Sequence, residues 1–335
     1  MSHRPPIVGN LHSDIHLEVA KLREEKNERA VLERTYLPKL DKGGVDFEFY
    51  TVGGDHRHFT RSDDLTLGTL RMIAHAWDET AESPHFTIAT SAREVREAKA
   101  AGKKALILAI EGAAPLREDL SLLDTFHRLG LRSVCLTWFK ANPTADGVNE
   151  KRQGGLTNFG RALIQEMDRL GMVIDVSQAT DATVADVLEI STRPIVASHS
   201  ATRAVHPHPR NLTDDQLRAI AARGGLLGLT TFPAHLGGEA PTIERFLDHV
   251  DHAVSLVGPE HVCLGLNIIV HDLEIATRFF DRSRIDYTNL WLPGLEDIDR
   301  VPAIADGLLA RKYAEADIDR ILGANLLRLI EQVIG

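Results

Sequence analysis

Two cysteines in 335 residues leave no disulfide framework to build on. Cys135 and Cys263 both sit in apolar runs and read as buried thiols. No basic stripe is present. Lys and Arg total 38 against 48 Asp and Glu, a net charge of −10, which argues against nucleic acid as a partner. No apolar run reaches transmembrane length. The first nine residues lack the apolar core of a signal peptide. The last amphipathic stretch, Ile321 to Ile334, is broken by Arg328 and Glu331 and is no lipid-anchor tail. These features predict a soluble, cytoplasmic chain with no membrane partner. There is also no G-x-G-x-x-G and no P-loop, and no internal repeat or low-complexity tract.

What the chain does have is 43% hydrophobic residues, enough for a sizeable core, arranged in alternation. Eight short apolar runs recur: Ile7–His12, Val45–Val52, Ala105–Glu111, Ser133–Trp138, Met172–Ser177, Pro194–His199, Leu226–Thr231 and Val262–Asn267. Several are apolar almost throughout, as in strands buried on both faces. Helix-period segments separate them: Leu65–Glu82, Ala92–Ala101, Leu120–Leu129, Asn158–Leu170, Ala182–Ile190, Asp214–Ala222 and Ile243–Val257. Thr213 with Gln216 forms a capping-box pattern. Gly102, Gly130 and Gly171 follow helices, where a left-handed residue is wanted. Eight strands alternating with helices predict an α/β fold, a single (β/α)8 TIM barrel over residues 1–335. The competitor is an open doubly wound sheet. Helices at about 297–335 would complete the outside. A densely charged insertion at about 16–42 reads as a solvated helix or as a flap over the barrel mouth.

In such barrels the active site lies at the C-terminal ends of the strands. The first run ends in His12-Ser13-Asp14. Strand alternation puts His12 and Asp14 on one face, about 7 Å apart, a pair suited to a divalent metal. The third run ends in Glu111, and a carboxylate closing an apolar strand needs a partner. The fifth run leads to Ser177-Gln178, the sixth ends in His199 and the eighth in Asn267. His12, Asp14, Glu111 and His199 read as ligands of one metal, or of two if Glu111 bridges. A second metal would want another imidazole or carboxylate beside His199. The nearest candidate is Gln178, whose neutral amide is a weak zinc ligand.

In this order the residues resemble the membrane (renal) dipeptidase family, peptidase family M19 of the amidohydrolase superfamily. The likeness runs through Ile110-Glu111-Gly112, Leu136-Thr137, Gly155 to Gly160, Met167 to Ser177, Ser198-His199-Ser200, Pro209 to Asp214 and Leu322 to Asn325. The resemblance implies a zinc-dependent barrel that hydrolyses dipeptides, with one or two ions and another divalent metal as the alternative. It implies that His12 and Asp14 hold one metal, that Glu111 bridges and acts in catalysis, and that His199 holds the second. It implies that Arg210 grips the carboxylate of a small-molecule substrate, with Asn211 beside it, and that the chain forms a homodimer.

Three positions depart from the family pattern. Gln178 stands where the family has His, and Asn267 where it has the aspartate that handles the proton. Trp138 stands where His or Tyr commonly follows Leu-Thr. Asn cannot accept a proton at working pH, and Trp138 would fill the pocket with apolar area. His271 and Asp272 are candidates to cover the missing acid. The expected function is metal-dependent hydrolysis of a dipeptide or related small amide. The alternatives are a diverged enzyme with one metal acting on a non-peptide substrate by elimination, isomerisation or oxidation, and a non-catalytic binding paralogue. Among the other histidines, His56 and His58 read as a solvated loop. His206 and His208 either line the pocket or orient the loop around Arg210, and His235 is a weak rim candidate.

Overall fold

The computed structural model describes residues 6–55, 64–268, 271–272, 274–275 and 290–335. His56 and His58 lie outside the described residues. The strands are β1 (Gly9–Ser13), β2 (Phe47–Gly54), β3 (Phe86–Ile88), β4 (Lys104–Glu111), β5 (Leu131–Cys135), β6 (Val173–Asp175), β7 (Val196–Ser200), β8 (Leu226–Leu229) and β9 (Val262–Leu264). They pair in the order β2-β1-β9-β8-β7-β6-β5-β4, and β4 pairs back onto β2, all in parallel. Eight strands thus close a TIM barrel, one from each apolar run. The short β3 was not expected. It pairs with the start of β4, Phe86 opposite Lys104 and Ile88 opposite Leu106, and three residues are too few to show a period.

Alternation along β4 sorts the core. Leu106, Leu108 and Ile110 face the helix layer and pack with Met72, Ile73, Phe126 and Leu163. Ala105, Ile107 and Ala109 point the other way and join Phe47, Phe49, Val173, Val196 and Cys263. Glu111 continues this second set, because residues two apart share a face. Its side chain therefore enters the barrel at the C-terminal rim.

Local chemistry sets the helix ends. Asp64, Ser91, Thr157 and Thr180 each accept hydrogen bonds from backbone amides of the first turn, and Thr213 with Gln216 makes the full capping box. The last helix (Asn325–Val333) packs at the N-terminal ends of the strands. Its Asn325 amide donates to the carbonyls of Pro259 and Val262, at 2.7 and 2.9 Å. A Cβ on Gly323 would lie 2.4 Å from the Ile7 carbonyl oxygen, so only glycine lets this turn approach β1.

The charged insertion is solvated only in part: Glu25, Lys26 and Arg29 are exposed, but the helix also buries two charges. In the helix His16–Lys26, Leu17, Val19, Ala20, Lys21 and Arg23 are buried. The Arg23 guanidinium donates to Glu79 and Glu82 of the helix Leu65–Glu82, at 2.5 and 2.7 Å. The Glu79 carboxylate also accepts from the backbone amide of Leu32 at 2.7 Å. The charges are satisfied by one another, which is what lets them be buried.

Candidate metal centre

Irregular pairing at the rim aims the site residues. From Asn10 to Ser13, β1 advances three residues while β2 advances two, Glu48 to Tyr50. From Ala197 to Ser200, β7 likewise advances three against two in β8, Leu227 to Leu229. Each is a bulge, which re-aims side chains at barrel rims. His12 lies inside the first bulge and His199 inside the second. Asp14 follows β1 rather than belonging to it. The regular-strand expectation of about 7 Å between His12 and Asp14 therefore gives way to close approach: His12 Nε2 is 3.4 Å from Asp14 Oδ1.

Glu111 Oε1 lies 3.7 Å from His12 Nε2 and 3.3 Å from His199 Nε2. The two imidazoles stack with centroids 3.9 Å apart. Ligand atoms of His12, Glu111 and His199 all lie within 4.8 Å of one another, and all three residues are buried. The cluster has a polar deficit. His12 Nε2, Asp14 Oδ1 and Gln178 Oε1 are buried without a hydrogen-bond partner, and such atoms are costly unless something fills the gap. Imidazole and carboxylate lone pairs converging on one space fit a divalent cation.

His199 is oriented from behind. Its backbone amide donates to Ser177 Oγ at 3.0 Å. Its Nδ1 is 2.7 Å from Ser198 Oγ, which donates to Asp175 Oδ2 at 2.5 Å. Asp175 also accepts from the Ser177 and Ser198 amides, both at 2.9 Å. Since Ser198 gives its proton to Asp175, it accepts from His199 Nδ1, leaving the Nε2 lone pair toward Glu111. Such outer partners fix a ligand's tautomer. Asp175 and Ser198 were both visible in the sequence as strand-end residues, but not the chain of hydrogen bonds that joins them to His199.

Electrostatics couple this site to pH. Burial opposes a charge on His12, yet Asp14 and Glu111 outweigh it and raise its pKa to about 9. Burial likewise opposes the Asp14 charge, but His12 beside it holds the carboxyl below its ordinary range. Burial, with His12 and Arg210 nearby, lowers His199 to about 4. A cation requires neutral imidazole, so it must displace the proton on His12. Apparent metal affinity is expected to rise about tenfold per pH unit up to about 9 and then level off. Titration against a competing chelator checks this, and a flat profile from pH 6 to 9 contradicts it. In the metal-free protein the raised His12 pKa stabilises the fold fully below its ordinary value of about 6.5. That contribution is lost as pH rises through about 9.

Comparison with known proteins supplies the family. The family model described as membrane dipeptidase, peptidase family M19, matches residues 3–274. The chain belongs to the membrane dipeptidase family. It is 32% identical to human Dipeptidase 3 over 311 residues, covering 90% of this chain and 58% of that protein. It is 32% identical to Dipeptidase verJ of Clonostachys rogersoniana over 253 residues, 75% of this chain and 61% of that one. The chain thus spans about three fifths of the length of these relatives. A metallopeptidase from Rhodobacter sphaeroides, solved with a phosphinate mimic of the dipeptide L-Ala-D-Ala, superposes with a TM-score of 0.83 at 27% identity, over 98% of this chain and all of that one.

The remaining residues singled out in the sequence fall as follows. Arg210 is buried, donates to the His199 carbonyl at 3.1 Å, and keeps its Nε unpartnered among the described residues. Its guanidinium carbon is 5.9 Å from the Phe139 ring centroid. Burial lowers its pKa to about 10, so it stays charged at neutral pH. Asn211 donates to the carbonyls of His206 and His235, at 3.0 and 2.7 Å, and so braces the loop that carries Arg210. His208 Nδ1 accepts from the Arg210 amide at 3.1 Å, a loop-orienting role. His235 is buried with its ring 5.1 Å from His208. Trp138 is half-buried against Phe139. Gln178 and Asn267 both adopt left-handed backbone, with φ of 67° and 51°, an uncommon conformation that clusters at functional sites. His271 stacks on Trp291 and bonds the Glu296 carbonyl at 2.8 Å. Asp272 is ion-paired with Lys21 at 2.5 Å. Asp272 is thus engaged elsewhere, whereas His271 lines the same cavity as His12, with Ser13, Tyr36 and Glu48.

Glu111 itself is placed by its neighbour. Gly112 has φ of 97°, and a Cβ there would lie 2.1 Å from the Asp55 carboxyl carbon. Asp55 in turn accepts from the Ala114 amide and from Asn142, at 2.8 and 2.9 Å. The Glu-Gly pair is thus a carboxylate delivered at a turn that no larger residue can make.

Proposed function

We propose that the chain hydrolyses a dipeptide or close small amide bearing a free carboxylate, with a cation held by His12, Asp14 and Glu111 and with His199 backing the far side of Glu111. The observation that carries this is the convergence of His12 Nε2 and Asp14 Oδ1, both buried without a hydrogen-bond partner among the described residues, on Glu111, beside a buried, charged Arg210. Zinc suits the mixed imidazole and carboxylate donors. A divalent cation there supplies Lewis acidity, bringing the pKa of water toward about 7 and polarising the amide carbonyl. Arg210 binds the substrate carboxylate through its planar guanidinium. Glu111 is the carboxylate placed to take the proton from the attacking water and return it to the leaving amine. Asn267 cannot accept a proton at working pH; in this reading its amide orients the substrate, while Trp138 and Phe139 close the pocket. The Rhodobacter neighbour, bound to a dipeptide mimic, supports this substrate class.

The test is turnover of a dipeptide panel by protein reconstituted with zinc, compared with the same peptides as C-terminal amides. Metal-dependent cleavage confined to the free acids is expected. A metal-loaded protein that cleaves none of the panel overturns the reading. Arg210→Met is expected to raise KM for the acids by about 30-fold or more, the effect of losing one partner of a buried charge pair. Metal content should be unchanged. Equal KM values in variant and parent would remove Arg210 from substrate binding.

A further inference from the structure

We infer that the centre holds one cation, and that the side-chain amide of Gln178 occupies the place a second would take between Glu111 and His199. Gln178 is 3% exposed. Its Nε2 donates to Glu111 Oε1 and lies 3.1 Å from His199 Nε2. The chain from His199 Nδ1 through Ser198 to Asp175 leaves a lone pair on His199 Nε2. One NH2 group carries two hydrogens. The two acceptors it faces are those that a bridging carboxylate and an imidazole would otherwise offer to a metal. Gln178 therefore satisfies both with no charge and no ion.

The other side of Glu111 differs. There His12 Nε2 and Asp14 Oδ1 have no hydrogen-bond partner among the described residues and no amide turned to them, whereas Gln178 gives its Nε2 to the His199 side and leaves only its own Oε1 unpartnered. His12 Nε2 and Asp14 Oδ1 sit 3.4 Å apart, with His12 Nε2 3.7 Å from Glu111 Oε1. A ligated cation needs contacts of about 2.0–2.2 Å to such atoms, and this side has the unsatisfied acceptors to provide them. A second cation at the His199 side would have to displace the Gln178 nitrogen and strand its hydrogens. The asymmetry points to a mononuclear centre, built by replacing a ligand with a hydrogen-bond donor of similar reach.

This inference rests on the metal centre proposed above but not on its substrate. Counting metal and measuring turnover therefore fail separately. The purified chain is dialysed with excess zinc, freed of loose ions and analysed by mass spectrometry. One equivalent per chain is expected for the parent and two for Gln178→His, with circular dichroism reporting that the variant is folded. Loaded with manganese instead, the parent should give the electron paramagnetic resonance of an isolated ion and Gln178→His that of an exchange-coupled pair. If Gln178→His does not fold, Gln178→Glu replaces it. Its added carboxylate faces Glu111, and a second equivalent is again expected. Two equivalents in the parent, or one in a folded Gln178→His or Gln178→Glu, overturns the inference.

Discussion

Glu111→Ala is expected to abolish tight metal binding and turnover together. The carboxylate lies within 3.7 Å of both imidazoles and accepts from Gln178, so its removal strips the cluster of its centre. The loss in metal affinity should exceed the roughly 10–100-fold that follows from deleting an outer partner of a ligand. The fold should survive, because β4 is held by Leu106, Leu108 and Ile110 against the helix layer. A second consequence tests the electrostatics. Glu111 is one of the carboxylates that raise His12 to about 9, so in Glu111→Ala the His12 imidazole should titrate at lower pH, visible by NMR. A folded variant that keeps full metal content and full activity would show that the reaction runs elsewhere.

Arg23→Ala is expected to destabilise the protein by about 3–5 kcal/mol, the usual cost of leaving a buried charge without its partner. Arg23 is 4% exposed and its Glu79 partner 0%. Glu79 also accepts from the Leu32 amide, so the damage reaches the segment beyond the first helix. Replacing both members, as Arg23→Met with Glu79→Met, should recover much of the loss, since apolar substitutes for a buried pair are well tolerated. Arg29→Ala is the control: its side chain is 60% exposed and 3.8 Å from Glu82, and a change within about 0.5 kcal/mol is expected. Equilibrium urea unfolding measures all three. A small effect of Arg23→Ala would mean that water reaches Glu79 once the arginine is gone. The same cluster has a pH signature. Arg23 holds the Glu82 carboxyl below its ordinary range, so its contribution is present above the unfolded carboxylate pKa and is lost as pH falls through the folded one.

Membership of a metallohydrolase family was legible because its marks are local. An apolar run ending in His, Asp or Glu is a strand whose last side chain meets the barrel mouth, whatever lies elsewhere in the chain. That is why all eight barrel strands and the long helices Leu65–Glu82, Asn158–Leu170 and Ile243–Val257 stand where the pattern put them. The buried half of the insertion escaped the sequence for the opposite reason. Whether Arg23 is solvated depends on Glu79, 56 residues away, and charge density alone cannot report a partner at that distance.

By itself, then, the sequence determined the barrel, the rim and the residue types gathered there, since burial periodicity and strand order need no more than neighbouring residues. Tertiary structure decided how those residues meet. Two extra residues, one in β1 and one in β7, turn His12 and His199 toward Glu111. Asp175 selects the His199 tautomer through Ser198. Gln178, which in the sequence was only a poor ligand, lies where its amide hydrogens face the acceptors of Glu111 and His199. Each of these depends on angles and distances between separate strands, which pairing across the sheet sets and no single strand encodes.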